Sequence, residues 1–270
     1  MRNTKMYPKV LLALSSAVLV SAAQTAPAPA AGKEQYVRCL ARAAAAPGDA
    51  LREAMEWQKA GGGPAADHCM AVALVGLHRY VEAGTKLDTL ARGGFAGEPL
   101  MRTALFDQAG NAWLLASKPD AAIASFSAAL SIDPSDEDIL ADRARANAMK
   151  KQWASADSDL SAALLVDPSR ADLLVLRGSA RHAMGHKADA RADYERVLKL
   201  HPGNVDALLE RGVVKFEAGD VAGARADWNL IVATLPNSAA ADAARQHLAD
   251  TAPPPPPKSG AVAPKPPKPR

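Results

Sequence analysis

Two consecutive stretches decide the fold: EDILADRARANAMKKQWASADSDLSAALLVDPSR from Glu137 to Arg170, and ADLLVLRGSARHAMGHKADARADYERVLKLHPGN from Ala171 to Asn204. Laid one above the other, they match at five kinds of position. A large apolar residue is followed by a small one (Leu140 and Ala144; Leu174 and Gly178). An alanine then precedes a bulky residue and a proline (Ala156, Leu160 and Pro168; Ala190, Tyr194 and Pro202). Working outward, the same series reads Phe106, Gly110, Ala122, Phe126 and Pro134 on one side and Leu208, Gly212, Ala224, Trp228 and Pro236 on the other. The spacing is 34 residues throughout, which marks one supersecondary unit stacked several times. Within each unit no alternating strand pattern competes, and alanine supplies much of the apolar content, so both halves read as helix. Hydrophobic residues make up 49% of the chain but aromatics only 4%, so the helices must approach closely on small side chains. Proline ends the second helix because it lacks an N–H and biases its predecessor away from helix, as in Leu164-Leu165-Val166-Asp167-Pro168.

These positions resemble the tetratricopeptide-repeat family, whose pattern has a small residue at position 8, alanine at 20, a large apolar residue at 24 and proline at 32. The resemblance places repeats at 103–136, 137–170, 171–204 and 205–238, within a block running from 102 to 238, which covers half the chain. It implies an all-α fold, a right-handed superhelical solenoid of antiparallel helix pairs, that binds a protein or peptide in a concave groove. Positions 8 and 20 are expected to meet where the two helices cross, with position 24 filling the space between hairpins. Carried over by register, the groove-lining positions include Asn111, Leu115, Arg145, Met149, His182, Leu209 and Phe216. Phe216 and Met149 suit apolar anchors, and Asn111 and Arg145 suit contacts to a partner's backbone or to an acidic group. The family's clamp for acidic C-terminal peptides uses lysine and arginine where this chain has Asp107, Asp138 and Asp142, a departure that argues against that ligand.

A second periodicity runs through three of the units. Arginine stands at position 7 (Arg143, Arg177, Arg211) and aspartate at position 23 (Asp159, Asp193, Asp227), while the first repeat has Ala109 and Ser125 instead. Their joint presence and absence suggests structural ion pairs within a unit; the rival pairing joins each aspartate to the arginine of the next unit, with Arg245 serving Asp227.

Toward the N-terminus the pattern weakens. Residues 33–101 read as degenerate hairpins of the same kind. One takes Ala71 at position 8, Tyr80 in the turn, Ala83 at 20 and Leu87 at 24; the other has Pro47-Gly48-Asp49 as its turn and ends at Gly61-Gly62-Gly63-Pro64. The two cysteines, Cys39 and Cys69, fall on first helices of adjacent units, so a disulfide is reasonable in an exported chain; two buried thiols are the alternative. Residues 239–250 read as a capping helix, and 251–270, rich in proline and lysine, as a disordered tail. That tail either serves as a solvated spacer or contacts an anionic envelope polymer or a proline-reading partner.

At the other end, Arg2, Lys5 and Lys9 precede the apolar run Val10–Ala23, with small residues at Ser21-Ala22-Ala23. This reads as a cleaved signal peptide over 1–23 followed by a linker at 24–32, and hence as a periplasmic or secreted protein. The run is short of the roughly 20 residues a permanent membrane anchor needs, so no anchor is expected after cleavage. The full chain carries 32 basic and 29 acidic residues. Without the leader the counts balance, and the tail then holds four cations and no acid, so the body is acidic by about four charges. No basic stripe with interleaved aromatics favours nucleic acid.

Catalytic signatures for hydrolases, zinc proteases and nucleotide or dinucleotide sites are missing from the sequence. His182 and His186 stand four apart, but no third ligand is evident from spacing, so neither metal nor cofactor is expected. The reading is a non-catalytic periplasmic scaffold or adaptor with a place in cell-envelope assembly; the alternative is a structural, self-associating repeat protein.

Overall fold

The computed structural model describes residues 30–93 and 99–251, and all regular secondary structure among them is α-helical. The chain forms two compact units, one through Val166 and the other from Asp167. The first holds α1 (Ala30–Ala45), α2 (Pro47–Lys59), α3 (Gly63–Gly76), α4 (Tyr80–Arg92), α5 (Pro99–Leu115), α6 (Pro119–Leu130), α7 (Glu137–Met149) and α8 (Trp153–Val166). The second holds α9 (Ala171–Ala183), α10 (Lys187–Leu200), α11 (Val205–Glu217), α12 (Val221–Thr234) and α13 (Ala239–Asp250). Within each unit successive helices pack on one another, and alternate helices touch as well: α1 with α3, α5 with α7, α9 with α11, and α11 with α13.

Local chemistry starts and stops these helices. Asp136 accepts the amides of Asp138 and Ile139 at 3.1 and 3.0 Å, and Asn204 accepts that of Ala207 at 2.9 Å, satisfying donors the helix itself cannot pair. Proline opens α2 and α6, where its missing N–H costs nothing. The turn from first to second helix uses one device at a 34-residue spacing. Ser117, Lys151, Gly185 and Gly219 all have positive φ, from 55° to 87°. The next residue's amide then reaches back to the helix, as in Lys118 to the carbonyl of Trp113 and His186 to that of Arg181, each 2.9 Å. Glycine adopts this conformation freely; Ser117 and Lys151 hold it at a cost of about 1 kcal/mol each.

Packing inside a hairpin turns on the pair at positions 8 and 24. A Cβ added to Gly110 would lie 2.4 Å from the Phe126 ring; at Gly178 it would lie 2.5 Å from Tyr194, and at Gly212 2.3 Å from Trp228. The position-24 ring therefore lies on the position-8 glycine of its own hairpin, rather than only between hairpins as the family pattern implies. Where position 24 is Leu160, position 8 has room for Ala144. The alanines at position 20 (Ala122, Ala156, Ala190, Ala224) are buried in every unit.

At the N-terminal end Cys39 of α1 and Cys69 of α3 form a disulfide, with Cα atoms 6.1 Å apart. Ala54 and Met70 pack around it, with Leu40, Leu51 and Trp57. Three sequence expectations need correction. Residues 30–32, assigned to the linker, are the first turn of α1. Pro47-Gly48-Asp49, taken as a turn, starts α2, because Pro47 suits a first helical position; the break is the single residue Ala46. Tyr80 opens α4 rather than lying in the turn. The leader at 1–23, linker residues 24–29 and tail residues 252–270 lie outside the described residues. Among the described residues no helix is long and apolar enough to cross a membrane.

Candidate partner-binding face

In the first unit, α5 and α7 bring four of the groove-register side chains together. Asn111 donates to the Asp107 carboxylate at 3.0 Å, and Asp142, one helix away, pairs with Arg145. Burial pushes the Asp107 carboxyl up to about 8, and the neighbouring charges of Asp142, Asp136 and Asp138 add to the shift against the Asn111 bond. Asp142 is raised as well, by burial first, with Arg145 opposing. Arg145, expected to contact a partner's backbone or an acidic group, pairs through one guanidinium nitrogen with Asp142. Met149 is 37% exposed at the end of α7 and Leu115 half-buried at the end of α5, so both present apolar surface.

The second unit carries its own set on α9 and α11. His182 Nε2 lies 3.0 Å from Glu217 Oε2, and Lys187 Nζ lies 2.8 Å from the same oxygen. Burial would raise Glu217, but the Lys187 and His182 bonds outweigh it and hold the carboxyl below its ordinary range. Glu210 moves the other way, raised by burial, with His182 opposing and Asp206 adding. Phe216 is 42% exposed, its ring centroid 6.2 Å from that of Trp228. Leu209 is half-buried, and its carbonyl accepts the Trp228 indole N–H at 3.2 Å. His186 lies at the start of α10 rather than beside His182 on α9, and no group of three metal-ligating residues occurs among the described residues.

The arginine–aspartate pairs form within single repeats. Arg143 grips Asp159 through Nε at 3.0 Å and Nη2 at 2.6 Å; Arg177 holds Asp193 at 3.0 and 2.7 Å, and Arg211 holds Asp227 at 2.9 and 2.7 Å. Arg245 instead bonds Asp242 and the Pro236 carbonyl. Each aspartate also receives a second donor from position 11: Asn147 at 3.2 Å, Arg181 at 2.9 Å and Lys215 at 2.9 Å. Sequence reasoning missed this partner, although a donor residue does recur at 147, 181 and 215. The unit lacking the pair uses another. There Asp88 of α4 accepts the Trp113 indole N–H at 2.9 Å and the Ser125 hydroxyl at 3.0 Å.

Stacked helical hairpins with a fixed internal tie and a variable first-helix face define a helical-repeat scaffold. A tetratricopeptide-repeat family model matches residues 177–244. The chain belongs to the tetratricopeptide-repeat family, whose fold is a protein-interaction scaffold and is generally non-catalytic. Among solved structures it is similar to a tetratricopeptide repeat protein from Parabacteroides merdae, at 20% identity and a TM-score of 0.61, covering 67% of this chain and 69% of that one. It is also similar to MamA from Desulfovibrio magneticus RS-1, at 16% identity and a TM-score of 0.57, covering 63% and 93%. These two likenesses concern the fold. The second tetratricopeptide domain of human RPAP3, solved in complex with the HSP70 peptide SGPTIEEVD, is 30% identical over 44% of this chain and 98% of its own, with a TM-score of 0.42. No curated protein sequence matches this chain significantly.

Proposed function

We propose that this protein is a non-catalytic scaffold that holds a partner segment bearing a cationic group on the α5–α7 face. One observation carries the reading: Asp107 is a largely buried carboxyl pushed up to about 8 among three other aspartates, while Arg145 of α7 pairs with Asp142. Burial and like charges penalise its ionised form, and a lysine or arginine brought to within about 4–6 Å would relieve that penalty. An acidic peptide end would increase it. Leu115 and Met149 supply apolar surface for the rest of the segment. The leader-like residues 1–23 support a place outside the cytoplasm, and envelope assembly is the role that suits such a scaffold there. The tail, with four cations and no acid, suits contact with an anionic envelope polymer.

Binding a cation lowers the Asp107 pKa, so the bound state releases a proton that the free state holds below about pH 8. Affinity should therefore rise with pH from 6 to 8. Calorimetry with three peptides of equal length, carrying lysine and arginine, no charge, or aspartate and glutamate, tests the reading. The basic peptide should bind tightest, with proton uptake by the buffer, and Asp107→Asn should abolish its pH dependence. Equal binding of all three, or preference for the acidic peptide, would overturn it.

A further inference from the structure

The N-terminal end contains a buried polar chain that the ion-pair pattern does not include. Tyr36 Oη of α1 lies 2.5 Å from His68 Nδ1 of α3, and His68 Nε2 lies 2.8 Å from Gln108 Oε1 of α5. Tyr36 and His68 are both buried. The carbonyl oxygen of Gln108 can only accept, so Nε2 carries the imidazole proton; Nδ1 then accepts from the Tyr36 hydroxyl. Every atom of the chain is satisfied in this neutral arrangement.

A second proton has no place in it. With Nδ1 protonated, the Tyr36 oxygen would have to accept, and its own hydrogen would lose its acceptor. The charge would also be buried without a counter-ion. From α1 the titratable group facing His68 is Tyr36, whose phenol burial pushes up to about 12; from α5 the facing group is the Gln108 amide, which does not titrate. Gln58 of α2 and Lys86 of α4 are drawn to Asp67, the residue before His68, at 3.0 and 2.8 Å. Asp107, next to Gln108, is bonded to Asn111. No carboxylate bonds to the imidazole, and burial holds its pKa below the ordinary histidine range, with the Gln108 bond opposing.

The consequence falls on α1. Among its described residues the buried side chains are Tyr36, Cys39 and Ala43, with Leu40 partly buried, so few contacts hold the helix down once the Tyr36 bond fails. We propose that Tyr36, His68 and Gln108 form a proton-sensitive latch: acid breaks the chain and loosens α1 from α3, while the Cys39–Cys69 bridge keeps the freed helix tethered. His68 occupies position 5 of its unit, the place Asp107 takes in the unit that begins at Thr103, so loosening α1 uncovers the first-helix face at that register. The closed form keeps its full stability above the ordinary imidazole range and loses it as pH falls, because only the open form accepts the proton freely.

Hydrogen exchange of the full chain with its disulfide intact, corrected for intrinsic rates from pH 7.5 to 5, tests this. The opening equilibrium of residues 30–45 should rise about ten-fold per pH unit below about 6.5. Amides of α9–α12 should stay level, and His68→Gln should remove the slope in α1. An unchanged α1 in the native chain, or the same slope in His68→Gln, would overturn the latch. Should that variant not fold, the His68 imidazole followed by NMR in the unaltered chain decides: no titration down to the pH at which α1 opens is expected, and titration at or above the ordinary value sinks the proposal.

Discussion

The hairpin α7–α8 and the end formed by α1–α4 face the same task, holding antiparallel helices in register, and meet it with different chemistry. In α7–α8 the tie is repeated elsewhere in the chain: a small residue under a large one, and an arginine bound through two nitrogens to an aspartate that takes a further donor from position 11. At α1–α4 the ties are singular. A covalent bridge joins α1 to α3, Asp88 links α4 to Trp113 and Ser125, and a neutral hydrogen-bond chain runs through His68. A tie that depends only on local register can be copied from unit to unit. An end helix has a neighbour on one side alone and buries less, so it needs contacts made to measure.

The largest test of this contrast is the bridge. Replacing both cysteines, Cys39→Ser with Cys69→Ser, should cost about 3–4 kcal/mol in the chain-entropy account of a 30-residue loop, seen as early melting confined to α1–α3. Exchange protection of α9–α12 should not change; a uniform loss would mean that the end is not a separate stability element. Next comes the repeated ion pair. Asp193→Asn removes the charge shared by Arg177 and Arg181 in a site where Asp193 is buried, and should cost about 3 kcal/mol by denaturant midpoint.

Smaller effects separate packing from helix preference. Gly212→Ala puts a methyl group against the Trp228 ring and should destabilise by about 1–3 kcal/mol, although alanine favours helix by about 1 kcal/mol. Adding Trp228→Leu, which recreates the Ala144–Leu160 combination, should recover part of the loss in a double-mutant cycle. A gain in stability from the single change would show that the ring moves aside. The smallest effect runs in the stabilising direction. Lys151→Gly should raise the thermal midpoint by an amount corresponding to at most about 1 kcal/mol, since Lys151 sits at φ 60° where two equivalent units have glycine.

Much of the fold was legible because its causes are local and repeated. Pro134, Pro168, Pro202 and Pro236 mark where second helices stop, and Gly110, Gly178 and Gly212 mark where a ring must come close. The ring's own resting place was assigned to the gap between hairpins, because register places a side chain on a face without fixing how far it reaches along it. The turn device was half visible: Gly185 and Gly219 signal a positive φ, but Ser117 and Lys151 adopt it without the residue that announces it. The candidate face was legible only as positions. Register placed Arg145 on that face, but not its ion pair with Asp142, three residues before it on the same helix. His68 carried no signal in the sequence, and its place in a buried hydrogen-bond chain comes from Tyr36 and Gln108, 32 and 40 residues away.

The 34-residue period suffices to specify helical hairpins, their boundaries and the small positions where they cross, because hydrogen bonding and packing between neighbours in sequence depend on spacing alone. Which charges are free on the partner face, which carboxyl is pushed out of its ordinary range and how the first helix is fastened depend on desolvation and on contacts between residues distant in sequence. Asp107, Asp142 and His68 acquire their properties from side chains and helices that fold over them, and only the assembled structure brings those groups within reach.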